Sequence, residues 1–456
     1  MLVRTALAAA ALALATASAQ GFCGFYVGKA DASLFNDASQ VIMARSGTRT
    51  TITMLNDYKG DLREFAMVVP VPEVLGKDTI RIGDKRIFDR IDAYTAPRLA
   101  EYFDPDPCAR AERDDLRLNM GRAPMAAAPM QEKRAAKALG VTVEATYTVG
   151  EYDIVILSAK ESNGLETWLR QNGYRIPKGA SAALAPYIKQ QLKFFVAKVN
   201  LKEQAKTGSD LLRPLQFSFN YERFGLPIRL GMINSRGPQD LVLYVLSPNG
   251  RVETTNYRTV RLPANMDVPT YLKSDFSSFY KAMFNEQAKR EAYRTVFTEY
   301  FWDMSWCDPC AANPLSSDEL KQAGVSWLND ESNASEFAPA VRGRRATGAS
   351  PVMVTRLHLR YSRETFPEDL MFQETKDREN YQTRYVLRHA WQGDPNACPA
   401  AKGYFEQVRA RQEREAQATA NLTGWDVNDI RRRIGIPAPS GSIGITGALF
   451  PWMQPQ

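Results

Sequence analysis

The run Glu64–Val69 (EFAMVV) constrains the fold more than any other stretch of the chain. Side chains of a strand point alternately to the two faces of its sheet, so a run apolar on both faces predicts a strand covered on both sides. Pro70 and Pro72 are expected to end it, because proline cannot donate to a ladder. Upstream, Val41 to Ala44 and Thr50 to Leu55 are β-rich and flank Arg45-Ser46-Gly47-Thr48-Arg49, which reads as a hairpin loop with glycine available for positive φ.

Further strands are expected at Thr142 to Val149, Tyr152 to Ser158, Phe194 to Val199 and Leu215 to Phe219. Leu241 to Leu246 and Arg251 to Tyr257 flank Asn249-Gly250, the strongest hairpin signal. Met353 to Tyr361 and Tyr381 to Trp391 read as a strand pair. Helices are expected over about Tyr94 to Phe103, Leu165 to Asn172, Ala182 to Gln190 and Tyr404 to Ala420. The clearest runs from Ser274 to Phe301, where ten apolar side chains from Phe276 to Tyr300 form a stripe at helical period. Several adjacent strands with scattered helices predict an α+β fold, with mixed, mainly antiparallel sheets flanked by helices. The stretches 109–140 (with a short helix near Glu132 to Leu139) and 329–350 read as exposed loops, and 401–456 as a helix followed by a Pro/Gly/Ser-rich tail. The remaining parts are a β-rich 20–108 and a main α+β part, 141–400.

Residues 1–19 stand apart from the fold. Arg4, the Ala/Leu run from Ala6 to Ala15 and the small-x-small site Ala17-Ser18-Ala19 predict a cleaved export signal. The run is too short to span a bilayer, as is Ile443 to Met453, which also contains Pro451. Bulky Phe22 before Cys23 argues against a lipid anchor. A periplasmic or secreted state is expected, with no transmembrane segment in the mature chain. The formal charge of +7 is small for 456 residues, and Arg342-Gly343-Arg344-Arg345 and Arg431-Arg432-Arg433 read as solvated surface, so no nucleic-acid partner is expected.

Export gives the five cysteines, Cys23, Cys108, Cys307, Cys310 and Cys398, an oxidising compartment in which disulfides persist. Two bridges and one free thiol satisfy the count, and the sequence does not choose the pairing. Trp306-Cys307-Asp308-Pro309-Cys310 differs from a thioredoxin-type redox motif at Asp308. A reactive thiolate needs a depressed pKa, usually supplied by a helix N-terminus at the attacking sulfur. Here the motif follows an expected helix, the next helix starts near the capping box Ser316/Glu319, and Asp308 opposes thiolate formation. Structural bridging is the preferred reading; redox chemistry at Cys307 and Cys310 is the alternative. Glu101-Tyr102-Phe103 before Asp106-Pro107-Cys108 echoes Glu299-Tyr300-Phe301 before Asp308-Pro309-Cys310, a short internal repeat or a coincidence.

His358 and His389 are the only histidines. His358 alternates with Arg356 and Arg360 on a polar face, and His389 shares parity with Tyr385, Leu387 and Trp391 on a packed one. Asp369, Glu374 and Asp377 lie between the two strands, which allows a third reading, a hydrolase using His389 and nearby carboxylates. No metal site or cofactor is expected, and no nucleophile elbow, phosphate loop, HExxH pair or dinucleotide fingerprint occurs.

The strings Phe22 to Val27 (FCGFYV), Glu64 to Val71 (EFAMVVPV), Asp92-Ala93-Tyr94 to Tyr102, Trp306 to Cys310, Phe366 to Met371 (FPEDLM) and Tyr385 to His389 (YVLRH) resemble the bacterial secreted proteins catalogued as domain of unknown function 2330. The resemblance runs from about Phe22 to the Cys398 region. It implies bacterial export and cysteines shared by the family, and no activity. The expectation is a disulfide-stabilised, non-enzymatic binding or cell-envelope component with an envelope or extracellular ligand.

Overall fold

The computed structural model describes residues 25–29, 38–55, 65–109, 141–159, 162–172, 174–175, 179–206, 212–233, 237–306, 308, 312–329 and 351–437. The export segment, Cys23, Cys307, Cys310, the expected loops 109–140 and 329–350 beyond their first residues, and the tail past 437 lie outside these residues.

In chain order, strands β1 (Phe25–Lys29), β2 (Ala38–Ser46), β3 (Arg49–Leu55), β4 (Phe65–Val71) and β5 (Ile80–Ile82) precede helix α1 (Lys85–Thr95). Then come β6 (Arg98–Phe103), β7 (Val141–Val149), β8 (Tyr152–Ala159), α2 (Ser162–Gln171), β9 (Tyr174–Arg175), α3 (Ala180–Lys189) and β10 (Lys193–Val199). Helix α4 (Leu201–Ala205) leads to β11 (Leu215–Asn220), β12 (Gly225–Leu226), β13 (Gln239–Ser247), β14 (Val252–Thr254), β15 (Arg258–Arg261) and β16 (Met266–Val268). Helix α5 (Phe276–Arg290), β17 (Thr295–Asp303), α6 (Ser317–Gln322), β18 (Met353–Tyr361) and β19 (Leu370–Glu374) follow. The chain closes with β20 (Tyr381–Gln382), β21 (Arg384–His389), α7 (Pro399–Thr423) and α8 (Val427–Ile434). The fold is α+β, with sheets that are mostly antiparallel.

The chain divides into two compact units, each discontinuous in sequence. The first comprises Met1–Ala96, Arg134–Arg261 and Glu291–Gln382; the second comprises Pro97–Lys133, Leu262–Arg290 and Thr383–Gln456.

The first unit is layered helix–sheet–sheet–helix. A six-stranded sheet, β7-β8-β10-β4-β1-β9, faces a larger one that runs β15-β17-β18-β13-β2-β3-β11-β5, with β20 also paired to β17. Met67, Val69 and Val71 of β4 join Phe195, Ile154, Phe217, Leu243 and Leu357 between the sheets. Ala66 and Val68 of the same strand join Leu165, Leu184 and Tyr187 under α2 and α3. The two-faced strand expected at Glu64–Val69 is therefore the covered strand observed. Pro70 does not end it: Pro70 pairs with Phe194 of β10, beyond the stretch where β1 occupies the other side. On the outer face of the larger sheet, Ile42, Tyr244 and Val354 pack under α1 and α6 through Phe88, Ile91 and Leu320. The β2–β3 hairpin forms as expected, with Gly47 at φ 56°.

Four expectations are corrected. The helix placed at Tyr94 to Phe103 ends at Thr95, because Pro97 disfavours helical geometry at Ala96; residues 98–103 are strand β6. The helix placed at Ser274 to Phe301 stops at Arg290, and Ala292 and Tyr293 take positive φ (50° and 57°) before the chain turns into β17. The helical stripe is real as far as Phe279, Met283, Phe284 and Ala288, all buried; Tyr293 is exposed in the turn, and Phe297 and Tyr300 belong to a strand buried on both faces. Asn249-Gly250 turns the chain, but β13 pairs with β18 and β2 while β14 pairs with β19, so no hairpin forms. Finally, β18 and β21 are not partners: β18 lies in the large sheet and β21 in the second unit. Both copies of the Glu-Tyr-Phe echo consequently lie on strands rather than at helix ends.

The second unit is built on a three-stranded sheet, β16-β21-β6, in which both pairings are parallel. Helices α5, α7 and α8 pack with it; Phe279 of α5 meets Tyr385 of β21 edge-on at 4.9 Å. Cys108, in the turn after β6, is bonded to Cys398, the N-cap of α7, where Pro399 opens the helix. Gly424 closes α7 in the left-handed region at φ 72°.

Candidate functional site

Two polar clusters are built into this frame, one in each unit, and they differ in accessibility. In the first unit, the β17–β18 register shifts between Thr298 and Tyr300, leaving Glu299 as the extra residue of a β-bulge. The bulge changes which parity faces outward: Val296 lies between the sheets, whereas Tyr300 lies under α1. Glu299, fully buried, is thereby aimed at β18. It accepts hydrogen bonds from Arg356 Nε (2.5 Å) and pairs with His358 Nδ1 (2.8 Å). Arg356 also donates to Asp92 of α1 at 2.6 Å, as does the Tyr244 hydroxyl at 2.7 Å. The polar parity expected for Arg356 and His358 is correct, but that face is buried and the groups fasten α1 to the sheet.

Asp369 and Glu374 also serve the frame. Asp369 accepts from the Tyr187 hydroxyl (2.7 Å) and from the backbone N–H groups of Ile228 and Arg229, while burial pushes its carboxyl up. Glu374 accepts from both the backbone and the side chain of Asn249, holding the turn after β13. Among the described residues no group of three or more His, Cys, Asp or Glu side chains is placed to hold a metal ion.

The second cluster is open. The C-terminal ends of the parallel strands β16, β21 and β6 run into Pro269, Ala390 and Asp104, and a cleft of about 210 Å³ lies beside the first two. Open parallel sheets bind ligands at the carboxyl ends of their strands. Arg388, His389, Arg411, Gln412, Glu415 and Arg433 line it, together with Thr270 and Tyr271. His389 is thus where a site was expected, but its Nε2 is tied to Glu101 Oε2 at 2.8 Å and its ring stacks on Phe103 at 4.5 Å. Lys273, and then His389, hold the Glu101 carboxyl below the usual range. The hydroxyl side chains lining the cleft are those of Thr270 and Tyr271.

Glu415 was not anticipated. It occupies the buried stripe of α7 formed by Ala401, Val408, Glu415 and Leu422, spaced by sevens, and a carboxyl at such a position is the signal the sequence offered. Only 4 % exposed, its Oε1 accepts no hydrogen bond, and neither does Arg411 Nε, 3.5 Å away, donate one. The hydroxyl of Tyr271, whose ring centroid lies 4.0 Å from the Arg433 guanidinium, is a third buried polar atom without a hydrogen bond. Of the triplet Arg431-Arg432-Arg433, expected as solvated surface, Arg432 and Arg433 are exposed, Arg433 while covering the Tyr271 ring, and the correction falls on Arg431, buried against Glu413.

Burial pushes the Glu415 carboxyl up to about 7, against the pull of Arg411 and Arg414 on its own helix and Arg388 on β21, and with Asp267 on β16 adding to the rise. A folded-state value above the unfolded one means stability present at acid pH and lost as pH rises from about 4.3 through 7. In urea titrations Glu415→Gln should match the parent in unfolding free energy at pH 4 and exceed it at pH 8 by on the order of 2 kcal/mol. An equal difference at both pH values would refute this account of the carboxyl.

Residues 17–373 match the model of a family described as uncharacterized protein conserved in bacteria, DUF2330. The matched span holds the Glu299 network, and it stops before β21, so the Tyr385–His389 string and Cys398 fall beyond it. No curated protein and no solved structure matches.

Proposed function

The chain belongs to the DUF2330 family of uncharacterized bacterial proteins, and from that footing we propose that it is an exported, disulfide-stabilised binding protein of the cell envelope, whose ligand seats in the cleft beside Glu415. One observation carries the reading. Three buried polar atoms, Glu415 Oε1, Arg411 Nε and the Tyr271 hydroxyl, are left without hydrogen bonds around a single cleft. Buried groups of this kind are normally satisfied, so a polar ligand that draws these side chains toward the cleft would supply their partners. The export segment and the Cys108–Cys398 bond support an oxidising destination. Among the described residues no helix is long and apolar enough to cross a membrane.

The thiol–disulfide alternative gains one feature. Strand β17, not a helix, leads into Trp306 and the Cys307/Cys310 motif. Against it, α6 begins only at Ser317 behind its Ser316/Glu319 capping box, and Asp308 is held by Tyr300 and Gln382. Hydrogen exchange on the full mature chain, with and without the low-molecular-weight fraction of bacterial envelope extract, tests the binding reading. Added protection is expected across 388–392 and 411–415. Protection confined elsewhere, or none, would overturn it.

A further inference from the structure

Resting on that binding reading, we infer that access to the site is regulated by a proton: Glu415 is a latch that holds the middle of α7 against strand β16 while protonated and lets it lift when the proton leaves. What α7 buries makes this possible. Between its apolar anchors Val408 and Leu422, the buried residues are Glu415, Ala416 and Thr419. Such a seam exposes little apolar surface when it opens, because an alanine methyl and two polar side chains are all it covers. Two of its buried polar atoms, Glu415 Oε1 and Thr419 Oγ1, make no hydrogen bond, and they lie one turn apart on the same face. The middle of α7 is the least firmly held part of this helix.

The charges around Glu415 make its ionised form hard to keep buried. Arg411 and Arg414 face it from its own helix, Asp267 from β16 and Arg388 from β21. His389 and Arg433 line the same cleft, and Glu286 and Arg290 of α5 pair with each other farther along α7. Arg388 already has Asp267 at 3.0 Å, Arg433 has Asp275 at 3.2 Å, His389 has Glu101 at 2.8 Å, and Arg414 is exposed. Arg411 stands between two carboxyl groups: it meets Asp104 at 2.8 Å, while its Nε stops 3.5 Å from Glu415 Oε1 without a hydrogen bond. Asp104 is fixed by its backbone bond to His389 and by the Tyr404 hydroxyl at 2.7 Å. Ionised Glu415 is thus a buried charge sharing one guanidinium with a better-placed rival, and water relieves it. Lifting α7 admits that water. Opening becomes easier as pH rises from about 4.3, the carboxyl's exposed value, to about 7, its buried one, and levels off above that.

The latch also accounts for how a ligand reaches atoms that the closed cleft covers. Arg411 Nε, Glu415 Oε1 and the Tyr271 hydroxyl have almost no accessible surface while α7 is down. Once the turn bearing Arg411 and Glu415 lifts, both side chains can turn into the cleft they line. A ligand that donates to the ionised carboxylate holds the open form, so binding and proton loss favour each other. The site is closed in acid and available from neutral pH upward.

Hydrogen exchange on the full mature chain without ligand, corrected for the intrinsic pH dependence of amide exchange, tests the inference. Protection of 411–419 should fall about a hundredfold from pH 4 to pH 7 and change little from there to pH 8. Glu415→Gln should stay protected throughout. Asp104→Asn, which still accepts from Tyr404 while yielding Arg411 to Glu415, should shrink the response about tenfold. Thermal unfolding at pH 4 checks that each variant is folded. No response, one that survives in Glu415→Gln and so belongs to His389 or another group, or one spread evenly over α5, α7 and α8 would overturn the latch. With the low-molecular-weight envelope fraction added, protection of 388–392 and 411–415 should be greater at pH 8 than at pH 4. Protection that is equal at the two, or greater at pH 4, overturns the regulation and leaves the binding reading standing. Protection at neither overturns the binding reading, and with it the latch as a control of access.

Discussion

Glu299→Ala is expected to lower the stability of the first unit by about 3–5 kcal/mol, read as a fall in the urea midpoint. The carboxylate has no exposed surface and neutralises Arg356 from 2.5 Å while also meeting His358. Removing it leaves a guanidinium that is 8 % exposed with Asp92 as its remaining carboxylate, and Asp92 is itself 40 % exposed and well solvated. The cost comes from the stranded charge rather than from the lost attraction. Replacing both partners, as in Glu299→Leu with Arg356→Met, should therefore recover most of the loss. Asp92→Asn, at the wet end, should cost about 1 kcal/mol or less. A single-variant loss below 1 kcal/mol would show that the network contributes nothing to holding α1 on its sheet.

Cys398→Ser is expected to remove about 2–4 kcal/mol, and Cys108→Ser the same amount. The bond closes a loop with a sequence separation of 290, so it restrains the unfolded chain strongly. Both variants should equal the parent unfolded in dithiothreitol, and neither should respond to the reductant by a comparable amount. Parent protein with an unchanged urea midpoint after reduction would contradict this. Because the bond ties the turn after β6 to the start of α7, its loss should also loosen Asp104, which holds Arg411 from 2.8 Å.

How much of this was legible in the residues depends on the range of the signal. The EFAMVV strand and the β2–β3 hairpin followed from patterns a few residues long, and the structure contains both. The α5–β17 junction was hidden, because aromatic residues in a strand buried on both faces mimic a continuing helical stripe, and the positive-φ residues that break it, Ala292 and Tyr293, are not turn formers. Asn249-Gly250 gave a turn but not the pairing, which β18 and β19 decide from more than a hundred residues away. At the cleft, His389 was legible as a rare titratable side chain. Its companions were not, since Arg411, Glu415 and Arg433 sit on two helices that read as charged surface until tertiary packing buries one face.

The three-stranded parallel sheet has its middle strand last. β6 and β16 both pair with β21, which begins at Arg384, so neither has this sheet partner until the chain has been made that far. Assembly of the cleft waits longer still, for the helices that carry Arg411, Glu415 and Arg433. A nascent or clipped chain that stops short of β21 carries two orphan strands and no Glu415, so the cleft reports whether this late segment is present.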